Sequence, residues 1–144
     1  MTREEIEAFF AMRQQAWEQH DAARLAADYA EECVVASPFA GTIEGRAANE
    51  RVYRSIFAAF PDLAFRSEEL LIDGERAALF ATVIGTHQGE FFGLAASGRK
   101  FEIRMGFLHR LYSRQIVQEL RIYDFTGLLV QIGVLKAKPG KGTD

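Results

Sequence analysis

The chain has 144 residues, a formal net charge of −3 and 49% apolar residues, with twelve phenylalanines among them. That length suits one domain with a substantial core, and its scattered Lys and Arg make no electrostatic footprint for nucleic acid. No apolar run approaches the roughly 20 residues of a membrane span, the charged N-terminus has no signal-peptide core, and the single cysteine, Cys33, excludes an internal disulfide. The composition predicts a cytoplasmic, soluble protein with neither a membrane nor a nucleic-acid partner.

Residues 4 to about 20 have helical periodicity, with Ile6, Phe9, Phe10, Arg13 and Trp17 on one side. Asp21 is placed to cap a second, shorter helix that carries Leu25 and Tyr29 inward. Cys33 to Ala36 reads as a short β-branched strand stopped by Ser37-Pro38, and Gly41 and Gly45 bracket a turn. A third helix spans about 46–60, with Val52, Tyr53, Ile56, Phe57 and Phe60 at helical spacing and Pro61 ending it.

From there to Asp124 the chain reads as sheet. Strands over 63–72 and 76–86 flank Asp73-Gly74, a hairpin signal. Gly85, Gly89, Gly93 and Gly98 mark a long connection, expected to edge a pocket mouth and to order further around a ligand. A strand over 101–111 follows, with Phe101, Ile103, Met105, Phe107 and His109 on one face and Glu102 and Arg104 on the other. After a turn near Ser113-Arg114, Ile116, Gln118, Leu120, Ile122 and Asp124 alternate on the more apolar face of a last strand. Leu128, Leu129, Ile132 and Leu135 then recur at helical spacing. Residues 1–136 form one domain and 137–144 a flexible tail. Helices placed ahead of an antiparallel sheet make an α+β fold: a curved sheet of four to six strands wrapped around three helices, with a pocket at its open end. Leu70, Phe80, Thr82, Ile84, Val117 and Tyr123 exceed what one core needs, and predict a homodimer through the outer sheet face.

Asp124 is the sharpest chemical candidate. A carboxylate beside an apolar pocket has its ionised form disfavoured, which suits a general base or acid; the same residue type also caps helices. His109 continues an inward face on the neighbouring strand, where an imidazole orients an acid, donates to a carbonyl or sits hydrogen-bonded in the core. Trp17 and Tyr53 bring polar tips to inward helix faces, and His87 opens the glycine-rich connection. No Cys/His cluster has metal-ligand spacing, no glycine loop precedes a helix, and no Gly-x-Ser-x-Gly turn is present. The chemistry expected is therefore acid-base, without cofactor or metal.

Trp17 with Asp21, Pro61-Asp62-Leu63, Gly85-Thr86-His87-Gln88-Gly89-Glu90-Phe91, Gly98-Arg99 and the ending Asp124-Phe-Thr-Gly127-Leu-Leu-Val-Gln131-Ile-Gly133 span nearly the whole chain. Together they resemble the SnoaL-like polyketide cyclase (ester cyclase) family of the nuclear-transport-factor-2-like superfamily. The resemblance implies a cone-shaped α+β domain, commonly homodimeric. It also implies intramolecular aldol condensation of a polyketide, with Asp124 as acid-base aspartate and a second catalytic polar residue at His109 or Arg110, of which the inward strand phase favours His109. Ketosteroid-isomerase-like proton transfer and non-catalytic binding of a small apolar or polycyclic ligand are the alternatives. The pocket residues expected are Trp17, Tyr53, His87, Phe91, Met105, Phe107 and Leu120, the last where many members carry tryptophan.

Overall fold

The computed structural model describes residues 1–136; the expected tail, 137–144, lies outside the described residues. Helix α1 (Arg3–Glu18) starts at a capping box, in which the Thr2 hydroxyl accepts from Glu5 N and the Glu5 carboxylate accepts from Thr2 N. Asp21 caps α2 (Ala22–Ala27), its Oδ1 accepting from Arg24 N at 2.9 Å. Helix α2 stops at Ala27, so Tyr29, expected on it, instead opens strand β1 (Tyr29–Ser37). The Gly41–Gly45 turn contains a strand of its own, β2 (Gly41–Glu44), before α3 (Arg46–Ala59).

Strands β3 (Ala64–Asp73), β4 (Arg76–Thr86), β5 (Lys100–Tyr112) and β6 (Gln115–Ile122) follow, then α4 (Phe125–Gln131). The β3–β4 turn uses Gly74 at φ +60°, and the β5–β6 turn holds both Ser113 and Arg114 at positive φ, the geometry that matches strand twist in two-residue hairpins. The six strands form one open, curved sheet in the order β2-β1-β6-β5-β4-β3. It is mixed rather than purely antiparallel, because β1 pairs parallel to β6 across the middle. Among the described residues no helix is long and apolar enough to cross a membrane.

Helices α1 to α3 lie on the inner face. Gln14 of α1 donates to Phe65 O at 2.7 Å and accepts from Ser67 N at 3.1 Å, tying α1 to the edge strand β3. Gln131 of α4 exchanges hydrogen bonds of 2.7 and 3.0 Å with the backbone of Glu102, closing the opposite end. The segment between β4 and β5 is anchored by Gln88 N and Gly89 N, both donating to Ala59 O. The quoted Pro-Asp-Leu and Gly-Thr-His blocks also meet, since Asp62 accepts from Thr86 N at 2.7 Å and from the Thr86 hydroxyl at 2.6 Å.

One irregularity decides what the inner face carries. Leu111 pairs with Ile116 but Arg110 pairs with Gln118, so Val117 is an extra residue in β6. A bulge of this kind exchanges the two faces of the strand beyond it. Ile116 is inward as expected; past Val117 the buried residues are Glu119 and Arg121, while Leu120 and Ile122 are 40% and 59% exposed. The expected inward set of Leu120, Ile122 and Asp124 is therefore outward or exposed. Of the residues expected on the outer face, Phe80 is exposed there, whereas Leu70 and Tyr123 pack against the core and Val117 occupies the bulge.

A glycine tests this packing. A Cβ on Gly89 would lie 2.2 Å from Ala58 O, whereas one on Gly106 meets only the Phe80 ring at 3.5 Å. Thermal unfolding of Gly89→Ala should show a loss of about 1–3 kcal/mol, while Gly106→Ala should be neutral or gain up to about 1 kcal/mol.

Candidate functional site

Between the inner sheet face, α1 and α3 lies a cavity of about 70 Å³. Trp17 comes from α1, Val52 and Ile56 from α3, and Leu128 from α4; Phe60, Phe65, Phe101, Ile103, Met105 and Phe107 supply most of the remaining wall. Trp17 stacks on Phe65 with ring centroids 4.1 Å apart, which holds the indole flat against the sheet. At the rim Phe39 meets Phe92, Phe91 and Phe125 at 4.0, 5.0 and 5.5 Å. Ligand pockets are commonly about 300–1,000 Å³, so a multi-ring ligand would have to displace some of these aromatic side chains. Among the described residues, Ser37, Tyr123, Arg121 and the indole N–H of Trp17 are the polar side-chain groups of the lining residues. Burial pushes the Tyr123 phenol up, with Ser37 offsetting it in part.

Arg121 belongs to a polar cluster sealed beneath the cavity. Its Nε donates to Glu119 Oε2 at 2.6 Å, and its Nη2 donates to Asn49 Oδ1 at 2.8 Å and to the Tyr53 hydroxyl at 3.4 Å. Glu119 Oε1 accepts from the Tyr29 hydroxyl at 2.6 Å and from His109 Nε2 at 2.8 Å. Arg13 reaches in from α1, donating to both tyrosine hydroxyls, to Leu25 O and to Asp28. The donors sort themselves. Tyr29 spends its proton on the carboxylate, so across the 2.8 Å contact between the two hydroxyls Tyr53 donates to Tyr29.

Burial opposes ionisation of Glu119, but Arg121, His109 and Arg13 outweigh it and hold the carboxyl well below the usual carboxylate range. Burial likewise opposes the Arg121 charge and Glu119 restores it, leaving the guanidinium firmly protonated. The same burial pushes the Tyr29 phenol far up, with Glu119 adding to it.

The expected site residues divide. Trp17, Phe91, Met105 and Phe107 line the cavity. Tyr53 and His109 are buried in or beside the cluster below it, with His109 stacked on Phe107 at 5.6 Å. Arg110, the other candidate for the second polar position, is exposed. His87 is fully buried, where Ser97 N donates to its Nδ1 at 3.2 Å. Leu120 lies on the opposite face of the sheet, for the reason given by the bulge. Asp124 is exposed and caps α4, its Oδ1 accepting from Gly127 N at 2.8 Å. A Cβ on Gly127 would come within 2.2 Å of Asp124 Oδ2, so the Asp-x-x-Gly spacing has a packing reason. Glu119, Arg121, Asn49 and Tyr29 were not legible as a group. Arg13 was the available signal, a charged residue inside an apolar helical stripe.

The sequence model of the family described as SnoaL-like polyketide cyclase matches residues 8–132. No curated protein sequence matches the chain. Among solved structures, AclR of Streptomyces galilaeus, described as a candidate hydroxylase, superposes with a TM-score of 0.82 at 25% identity, over 96% of this chain and 87% of its own. IdmH of Streptomyces antibioticus, described as a candidate polyketide cyclase, superposes at 0.74 with 27% identity, over 88% and 97%. A protein of ketosteroid-isomerase-like fold from Catenulispora acidiphila, in complex with trimethylamine, superposes at 0.74 with 18% identity, over 96% and 100%; at that identity it speaks for the fold alone.

The cluster makes a signed pH prediction. A carboxyl with a depressed folded-state pKa contributes stability above its unfolded value of roughly 4.3, and loses it as pH falls through the folded value. Wild-type stability should therefore decline below about pH 4.3, and Glu119→Gln should flatten that decline. At pH 7 the same variant should lose about 3–5 kcal/mol in denaturant titrations, because it strands Arg121.

Proposed function

The chain belongs to the SnoaL-like polyketide cyclase family, and we propose that it binds a small apolar polycyclic or polyketide-like molecule in this cavity and promotes acid-base cyclisation of it. The observation that carries the reading is an aromatic cavity whose one charged lining residue among the described residues, Arg121, is held by hydrogen bonds to a polar floor. Asp124 follows the lining residue Tyr123, and its Oδ2 makes no hydrogen bond among the described residues. In the proposed reaction Asp124 takes an activated proton from the substrate and later returns one to the new alkoxide.

The exposure of Asp124 favours a second reading, a binding module in which that carboxylate serves only α4. Asn caps a helix about as well as Asp but accepts no proton. Native mass spectrometry of the purified protein identifies a carried ligand; turnover and stability are then compared across variants. Asp124→Asn is expected to keep its melting temperature and lose about 10²- to 10⁴-fold in turnover, while Asp124→Ala also loses on the order of 1 kcal/mol. Unchanged turnover in Asp124→Asn removes Asp124 from the reaction, and a carried ligand that the wild type does not turn over establishes the binding module instead.

We also propose a homodimer through the outer sheet face. Register places Ala36, Leu120, Leu108, Ala78 and Leu71 in one row across five strands, with Ile122, Gly106 and Phe80 beside it. Leu71, Phe80, Leu108, Leu120 and Ile122 are all exposed in the single chain. Light scattering should give about twice the 16.2 kDa chain mass, and Leu120→Arg should return the monomer without changing the fold.

A further inference from the structure

We propose that the cavity takes its ligand as an oxyanion: an apolar ring system bearing an enolised 1,3-dicarbonyl or acidic phenol, bound ionised with that oxygen on Arg121. This rests on the reading of the cavity as the ligand site and names what that site selects.

Three observations support it. First, Arg121 Nε and Nη2 are engaged by Glu119, Asn49 and Tyr53, but its Nη1 has no acceptor among the described residues. The sealed polar side-chain atoms lacking a partner are Asn49 Nδ2, His87 Nε2 and His109 Nδ1. Nη1 is not one of them, and Arg121 lines the cavity, so the two Nη1 N–H donors are assigned to the ligand. Second, the guanidinium is fixed before any ligand arrives, by those three bonds and by the Tyr53 ring 5.2 Å beneath its carbon. Donors held in place in a low-dielectric site stabilise an oxyanion without reorganising. Third, no carboxylate is left over. The buried Arg13 and Arg121 are matched by Asp28 and Glu119, while Arg24, which shares Asp28, is partly exposed and solvated.

The groups facing Arg121 supply no further negative charge. Glu119 of β6 already accepts from Tyr29, His109 and Arg121. Asn49 and Tyr53 of α3, Tyr29 of β1 and Ser37 and Tyr123 at the lining are neutral. His109 of β5 gives Nε2–H to Glu119 and, among the described residues, has no partner for Nδ1. Arg13 of α1 adds positive charge. A neutral ligand gains apolar contact and a hydrogen bond charged on the donor side alone, whereas an anion gains a stronger one charged on both sides.

The test uses 4-nitro-1-naphthol, whose anion has its own visible absorption band, and its methyl ether, which cannot ionise. The naphtholate is expected to bind at least about tenfold more tightly than the ether, and the bound naphthol to titrate at least about one pH unit below the free compound. Arg121→Gln should abolish the preference and leave ether binding in place. Should that variant fail to fold, Arg121→Gln with Glu119→Gln, which strands no charge, carries the same expectation. Equal affinity for the two probes, or an unlowered bound titration, overturns the inference and leaves the cavity as the ligand site. If neither probe binds, the cavity reading falls first and the inference with it.

Discussion

Glu119 and Arg121 cannot be placed inside this protein separately. Either charge alone, buried among Phe107, Tyr53 and Trp17, would cost several kcal/mol; together, and with every oxygen of Glu119 hydrogen-bonded, they become part of the core. The pair gathers Arg13 of α1, Tyr29 of β1, Asn49 and Tyr53 of α3 and His109 of β5 around one carboxylate. Five elements far apart in the chain are thereby held at one point, and the distance between helices and sheet is set there.

The cavity follows from that arrangement. Below Arg121 the space is filled by hydrogen-bonded polar groups; above it the walls are phenylalanine, methionine and tryptophan, which pack without directional demands. The cavity is therefore polar at one end and apolar at the other. The family fold is shared by proteins of different described activities, AclR and IdmH among them, so chemistry depends on which residues meet at the floor and rim. Here Asp124 is fastened to its own helix, and Arg121 is the charged residue of the cavity lining.

The outer face is the counterpart of the same bulge. Turning Glu119 and Arg121 inward turns Leu120 and Ile122 outward, where they join Leu108 and Phe80. A single extra residue, Val117, thus supplies the inner face with its charges and the outer face with its apolar row.

Much of this was readable from local pattern. The limits of α1 and α3, the Asp73-Gly74 hairpin, strands β4 and β5, the inward face ending in His109, and the helix after Asp124 all rest on periodicity and turn chemistry within a few residues. The wall residues Trp17, Met105 and Phe107 followed from the same phases, and the family from motifs spread along the chain. The parallel pairing of β1 with β6 joins segments some eighty residues apart, and no local pattern encodes it. Nor did alternation reveal the charged floor, because Glu119-Leu-Arg121 reads as a solvated face unless Val117 is known to be extra. A bulge is defined by what lies across the ladder, and burying a charge is tolerable only where distant partners already wait for it. Which carboxylate is buried and which is exposed at a helix cap was therefore decided by tertiary structure, between two acids five residues apart in one strand and its end.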